Sequence, residues 1–240
     1  MWGGSGLLMA NAVVNVPFSA VSLLIHGGRD PVTTFPTDSS SFAVNTPLTT
    51  AAITYDTTSW SLLGNSVSLG FSSTLNTYIK YTSAAQYNFG SGDFTLECQI
   101  KTGASYVNAS QYLTLFSKAK PDGTEYEFIF YALNGSLILA LYNSSGTLTA
   151  NTATYTFAAS TAYQIGVTRS GTTVKIYVNN TLIYTGTNAT AIRSTGGQPL
   201  YIGELIAGFS HTEKFMKEIR ITKGYARDLT IVQTAPFPNA

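Results

Sequence analysis

The sequence predicts an all-β chain of antiparallel strands folded as a sandwich or barrel. Three observations carry that expectation. Apolar and polar residues alternate with period two from Phe94 onward, turn-forming dipeptides recur between the alternating runs, and no segment shows an apolar stripe at helical spacing. Composition agrees: charged residues make up only 10% of the chain, against roughly 25% in ordinary soluble domains. Ser, Thr, Asn, Gly and Tyr take their place, residues that favour strands and turns.

Taken in order, the elements begin with three less regular runs, AVSLLIHGG, TTAAITYD and NTYIKYT, which read as strands separated by the surface loops PVTTFPTDSSS and YDTTSWSLLGNS. The pattern then sharpens. DFTLECQIK sets Phe94, Leu96, Cys98 and Ile100 on one side against Thr95, Glu97, Gln99 and Lys101. TEYEFIFY sets Tyr126, Phe128 and Phe130 inward against Glu125, Glu127, Ile129 and Tyr131. SLILALY opposes Leu137, Leu139 and Leu141 to Ile138, Ala140 and Tyr142. AYQIGVTR and TVKIYVN follow, with Tyr163, Ile165, Val167, Val174, Ile176 and Val178 inward, and Gln164 and Tyr177 opposite. One apolar and one mixed face per run is what antiparallel strands over a core require. Pro121-Asp122-Gly123, Asn134-Gly135, Ser145-Gly146, Ser170-Gly171 and Asn179-Asn180 punctuate these runs. Asn-Gly is the strongest of them, because both central residues of a tight hairpin must accept positive φ.

At 240 residues the chain suits one sandwich domain and can bury a core without disulfide staples. Its single cysteine, Cys98, has the apolar parity and reads as a small core hydrophobe. Residues 1–17 stand apart. They hold Trp2, Leu7, Leu8, Met9, Val13 and Val14 and no charge. They are expected to form an arm that docks on a partner subunit or on the chain's own sandwich, leaving 18–240 as the domain. No Lys or Arg precedes Arg29, so the basic region of a signal peptide is missing, and no stretch is long enough to span a membrane. The formal net charge of +1 supplies no general attraction to nucleic acid or anionic membrane.

In this order the runs resemble the concanavalin A-like jelly roll and, within it, the laminin G-like group. The segments that carry the resemblance are YIKYTSAAQYNFGSGDFTLECQIK, AYQIGVTRSGTTVKIYVNNTLIYTG and LYIGELIAGFSHTEKFMKEIRITKGYARDL. The versions carried by tailed-bacteriophage virion proteins look most similar, through ITKGYARDL followed by APFPNA. The resemblance implies a jelly-roll sandwich in a virion component made in the host cytoplasm, with capsid or other virion subunits as partners. A capsid decoration protein is the first expectation, because one globular domain comes without a repeated shaft. The alternative is a carbohydrate-binding module of a tail or fibre that attaches the particle to cell-surface glycans.

Of the chain's 13 Lys+Arg and 12 Asp+Glu, eight crowd into residues 213–228: Glu213, Lys214, Lys217, Glu218, Arg220, Lys223, Arg227 and Asp228. Alternation in FMKEIRIT assigns Phe215, Ile219 and Ile221 to the core. It sets Glu218 and Arg220 on an exposed face, where a pair contributes only about 0–1 kcal/mol.

No catalytic residues are expected. Glu125 and Glu127 share a parity that could suit two carboxylates flanking a glycosidic bond, but surface glutamates on a solvated strand are much the commoner source of such a pair. His26 and His211 lie apart from any nucleophile motif, and with one core cysteine they make no metal site. Laminin G-like domains sometimes bind calcium at the rim. The resemblance makes Asp38, Asp93 and Asp122 candidates, while each also reads as an ordinary turn residue, and no cofactor is expected otherwise. For sugar binding, Gln99, Glu127, Tyr131, Tyr142, Gln164 and Tyr177 are the candidates, if the mixed strand faces form one continuous surface.

Overall fold

A computed structural model of the chain describes residues 16–27, 36, 38–42, 49–50, 53–56, 67–73, 77–106, 111–205 and 213–238. The six apolar residues of the expected arm, His211 and most of the two long early loops lie outside them. Fifteen strands are present among the described residues. In chain order they are β1 (Val21–Ile25), β2 (Thr49–Thr50), β3 (Thr54–Asp56), β4 (Ser68–Phe71), β5 (Ile79–Tyr81), β6 (Phe94–Thr102), β7 (Leu113–Ala119) and β8 (Tyr126–Leu133). Then follow β9 (Ser136–Tyr142), β10 (Leu148–Thr154), β11 (Ala162–Ser170), β12 (Thr173–Val178), β13 (Thr181–Thr187), β14 (Leu200–Ile202) and β15 (Lys214–Lys223).

These strands build two antiparallel sheets packed face to face. The first runs β13-β12-β11-β6-β15-β4-β3, and the second β10-β9-β8-β7-β14-β5-β2. The first half of β15 pairs with β4 and the second half with β1, so both lie along one side of it while β6 takes the other. TTAAITYD divides between the sheets: Thr49 and Thr50 join the second and Thr54–Asp56 the first.

The core follows the alternation. Leu96, Cys98, Ile100, Ile165, Val167 and Ile176 from the first sheet meet Leu115, Phe128, Phe130, Leu137, Leu139 and Leu141 from the second. Burial pushes the Cys98 thiol far up, so it is an inert filler. Inward parity continues to Arg169, whose guanidinium sits 5.0 Å from the Phe94 ring and donates to the carbonyls of Gly90, Gly92 and Thr190. A buried cation is tolerable there because backbone acceptors replace water. The Asn134-Gly135 hairpin has φ of 49° and 71°, and Asn179-Asn180 has 49° and 61°, the double positive φ those turns demand.

Two bulges overturn the simple alternation. Between Lys217, opposite Gln99, and Arg220, opposite Glu97, β15 carries one residue more than β6. Glu218 takes it up with φ of 45°, a left-handed conformation uncommon outside glycine. Phase therefore shifts: Met216 is the core residue and Phe215 is only half-buried. The expected wet face is not wet. Lys214, Lys217, Glu218 and Arg220 are all buried. Similarly, Tyr126 pairs with Ala119 and Phe128 with Lys118, leaving Glu127 as an extra residue. Tyr126 is thereby turned from the core to the outer side of the second sheet, against the expectation from its parity.

Candidate functional site

Two outer surfaces carry groups able to hold a ligand. On the second sheet, alternation sends Ile129 and Tyr131 of β8 and Ala140 and Tyr142 of β9 outward, and the bulge adds Tyr126. Tyr126 stacks on Tyr142 with centroids 5.4 Å apart, and Tyr131 lies 5.6 Å from Tyr112. Farther along the sheet Tyr78 meets Tyr201 edge-on at 5.4 Å, with Lys80 Nζ 5.7 Å from the Tyr201 ring. Partial burial raises the pKa of Tyr126, Tyr131 and Tyr142, and full burial raises that of Tyr201 to about 12. The phenols are thus neutral at physiological pH; Tyr201 is fully buried, whereas Tyr126, Tyr131 and Tyr142 present ring area and hydroxyls that both donate and accept.

The six residues expected to share one sugar-binding surface do not share one. Tyr131 and Tyr142 are together on the outer side of the second sheet. Gln164 and Tyr177 belong to β11 and β12 of the first sheet, on the opposite side of the sandwich. Gln99 pairs across from Gln164 but is fully buried, and its amide has no hydrogen-bond partner. Glu127, displaced by its bulge, turns to Lys118 Nζ at 2.6 Å, and that lysine also donates to Asn88. The alternation that suggested one surface holds within a sheet, whereas the six are drawn from two.

The second surface is a groove of about 420 Å³ between the outer side of β11–β13 and residues 226–230. That volume falls in the usual range of small-ligand sites, about 300–1,000 Å³. Residues 225–238 cross the first sheet as a strap. The Thr95 hydroxyl donates to Tyr225 O and accepts from Arg227 N, and Asn180 Nδ2 donates to the carbonyls of Leu229 and Ile231. Leu229 packs onto Gly166, where any Cβ would collide with it. Farther on, Phe237 N donates to Glu218 Oε2 at 2.9 Å, and the Arg220 guanidinium lies 3.6 Å from the Phe237 ring. His26 Nδ1 is 3.0 Å from the same Glu218 oxygen. Beneath the strap, Arg220 donates from Nε to Glu97 Oε1 at 2.8 Å, with Arg227 Nε 3.9 Å from that oxygen. Within the groove, Tyr177 forms part of the floor and Lys175, Arg227, Asp228 and Thr230 supply polar groups. Sequence reading named Arg227 and Asp228 only as members of the charged cluster, and missed Lys175, Thr230 and Tyr126 as site residues. The dense charge of 213–228 was the available signal, since so few charges elsewhere made any cluster informative.

The acidic pair considered from sequence is divided between two lysines. Glu125 accepts from Lys120 at 2.9 Å and from Gln198, and Glu127 is held by Lys118. Each carboxylate faces its own lysine. Asp38 accepts from the amides of Leu24 and Ser40, Asp93 from Gly171 N, and Asp122 from Thr124, so all three tie backbone turns. Among the described residues, no group of three or more His, Cys, Asp or Glu is placed to hold a metal, and no helix is long and apolar enough to cross a membrane.

Comparison with known proteins agrees with this architecture. The family described as the concanavalin A-like lectin/glucanases superfamily matches over residues 72–228. The fold is similar to the binding domain of Paraclostridial Mosquitocidal Protein 1, at 11% identity and a TM-score of 0.68, covering 89% of this chain and 51% of that one. It is also similar to the binding domain of botulinum neurotoxin serotype G, at 13% identity and a TM-score of 0.66, covering 87% and 48%. The receptor binding domain of botulinum neurotoxin D aligns at 11% identity and a TM-score of 0.62, covering 90% and 52%. The chain therefore spans about half the length of these domains, and at such identities the likeness is one of fold. No curated protein matches the sequence.

Proposed function

The chain belongs to the concanavalin A-like lectin/glucanases superfamily through residues 72–228, and from that premise we propose that it is a non-catalytic recognition module that binds a carbohydrate receptor. The tyrosine-bearing outer side of the second sheet carries this reading. Tyr126, Tyr131 and Tyr142 combine ring faces for the C–H side of a sugar with neutral hydroxyls for its oxygens. The toxin domains of similar fold are binding and receptor-binding domains by name, which supports attachment as the role. Non-catalytic action is supported by Glu125 and Glu127 being held by separate lysines.

The virion setting belongs to the same proposal. A particle component with this side outward attaches its carrier to surface glycans, and the receptor-binding neighbours support that role over docking on a shell lattice. The test is binding of the full chain to an array of immobilised glycans, repeated with Tyr131→Ala and Tyr142→Ala together. A specific glycan bound at least tenfold more weakly by the double variant is expected. Binding to no glycan, or binding that ignores both tyrosines, refutes the proposal.

A further inference from the structure

Lys118 has both a carboxamide and a carboxyl group for hydrogen-bond partners. It lies near the end of β7 and is fully buried, and Glu127, the bulged residue of β8, is 1% exposed. Lys118 Nζ is 2.6 Å from Glu127 Oε2 and donates to Asn88 Oδ1 at 2.7 Å. The bulge makes this meeting possible, because Phe128 already stands opposite Lys118 and the extra residue is free to turn its carboxyl to the lysine. Asn88 follows the short turn Ala85–Tyr87 and stands between Tyr87 and Phe89, both buried in the core. The Phe89 ring lies 4.7 Å from Phe94 and 5.2 Å from Phe128, centroid to centroid. Residues 192–199 close the place from outside. Ile192 N donates to Gly90 O, Arg193 Nε to Tyr126 O, and Ala119 N to Pro199 O. Amine, amide and carboxyl therefore meet apart from bulk water.

Burial lowers the Lys118 pKa and raises that of Glu127. Both shifts favour an uncharged amine beside a carboxylic acid over the ion pair. An uncharged amine is a nucleophile, and one hydrogen-bonded to a carboxamide oxygen is a single C=O bond away from the carbon it can attack. Holding the two groups in contact removes much of the entropic barrier to their reaction, and a carboxyl at the same nitrogen can move the protons the reaction requires. The chain has one cysteine, so no disulfide within it can tie the two sheets together.

We propose that Lys118 and Asn88 join in an intramolecular isopeptide bond, with Glu127 carrying the proton between them. Lys118 Nζ attacks Asn88 Cγ, the Nζ–Cγ bond forms and the Cγ–Nδ2 bond breaks. One proton passes from Nζ through Glu127 to Nδ2, which departs as ammonia. While both nitrogens share one carbon, a carboxyl beside the first is beside the second. Glu127 ends as it began, so amine and carboxamide give amide and ammonia without oxidant, reductant or cofactor. The reaction is a single turnover on the chain itself and leaves the module non-catalytic towards its ligand. The bond ties β7 of the second sheet to the turn that leads into β6 of the first, between positions 30 residues apart.

The experiment is an intact-mass measurement of the purified full chain, followed by proteolytic digestion and fragment sequencing by mass spectrometry. The expected mass is that of the sequence less one ammonia, with a branched peptide joining the segments that contain Asn88 and Lys118. Lys118→Met and Asn88→Ala should each keep their full sequence mass. Glu127→Gln, checked for folding by circular dichroism, should also stay unlinked. If it does not fold, Glu127→Asp takes its place and should be linked in a smaller fraction of chains. A full sequence mass for the unaltered chain overturns the inference. So does an ammonia loss that maps elsewhere, such as cyclisation at Asn134-Gly135. Linkage undiminished in the Glu127 variant overturns the role given to that carboxyl. The mass of the unaltered chain decides the bond even where a variant fails to fold, and the outcome of the glycan array does not affect it.

Discussion

Arg220→Met tests the buried charge beneath the strap. In the folded chain Arg220 Nε and Nη2 both reach Glu97 Oε1 at 2.8 Å, with side-chain exposures of 6% and 1%. Removing the guanidinium leaves Glu97 buried, with Arg227 at 3.9 Å as its remaining cation. Breaking one partner of such a pair costs about 3–5 kcal/mol, and losing the contact with Phe237 at 3.6 Å adds about 0.5–2 kcal/mol. An exposed pair on the same strand costs about 0–1 kcal/mol, so the two descriptions of this strand differ by several-fold. Urea denaturation followed by circular dichroism separates them. The double variant Glu97→Met with Arg220→Met adds the decisive contrast, because it leaves no orphaned carboxylate and is expected to recover most of the loss. A single-variant cost below about 1 kcal/mol, or a double variant as unstable as the single, refutes the reasoning.

Lys214 gives a pH signature: burial lowers its pKa from 10.5 to about 7, with Nζ 5.3 Å from the Phe71 ring. Between those values the unfolded chain holds a proton the folded chain has shed, so stability rises with pH across that window, and the penalty is full below about 7. Lys214→Met is expected to flatten the rise, and identical slopes of urea midpoint against pH in the two proteins would contradict the assignment. Gly203 has φ of 87° and lies where a Cβ would run into the Phe71 ring. Gly203→Ala combines backbone strain of about 1–3 kcal/mol with overpacking of similar size, and a fall in Tm of at least about 4 °C is expected. A smaller fall would show that the ring gives way freely.

What the sequence makes legible is what repeats with period two. Leu96, Cys98 and Ile100, or Leu137, Leu139 and Leu141, face the core because a strand buried on one side must alternate. The hairpins at Asn134-Gly135 and Asn179-Asn180 were legible because so few residues accept their backbone angles. What escapes is non-periodic or remote. A bulge at Glu218 or Glu127 inserts one residue without changing local composition, yet it inverts which side chains are buried. Glu97 and Gln99 read as wet residues because the cover over a strand's outer side comes from elsewhere in the fold. Over Glu97 it includes the strap, whose Tyr225 carbonyl meets Thr95 130 residues away in sequence. The tyrosine side was half legible: Tyr131 and Tyr142 follow from parity, whereas Tyr126 needed the bulge.

The strap also links the groove thermodynamically to the far end of the first sheet. One wall of the groove exists only while residues 226–230 lie down on the first sheet, and the strap is held there by a few hydrogen bonds, by Leu229 on Gly166, and by Phe237 buried with Val21 and Leu24 beneath the Arg220 guanidinium. Apparent affinity at the groove is the intrinsic affinity scaled by the fraction of molecules with that wall in place. Glu218 clasps the far end of the strap through the Phe237 amide and is itself paired with His26 next to β1. A change at that clasp can therefore retune the groove without touching any residue that lines it.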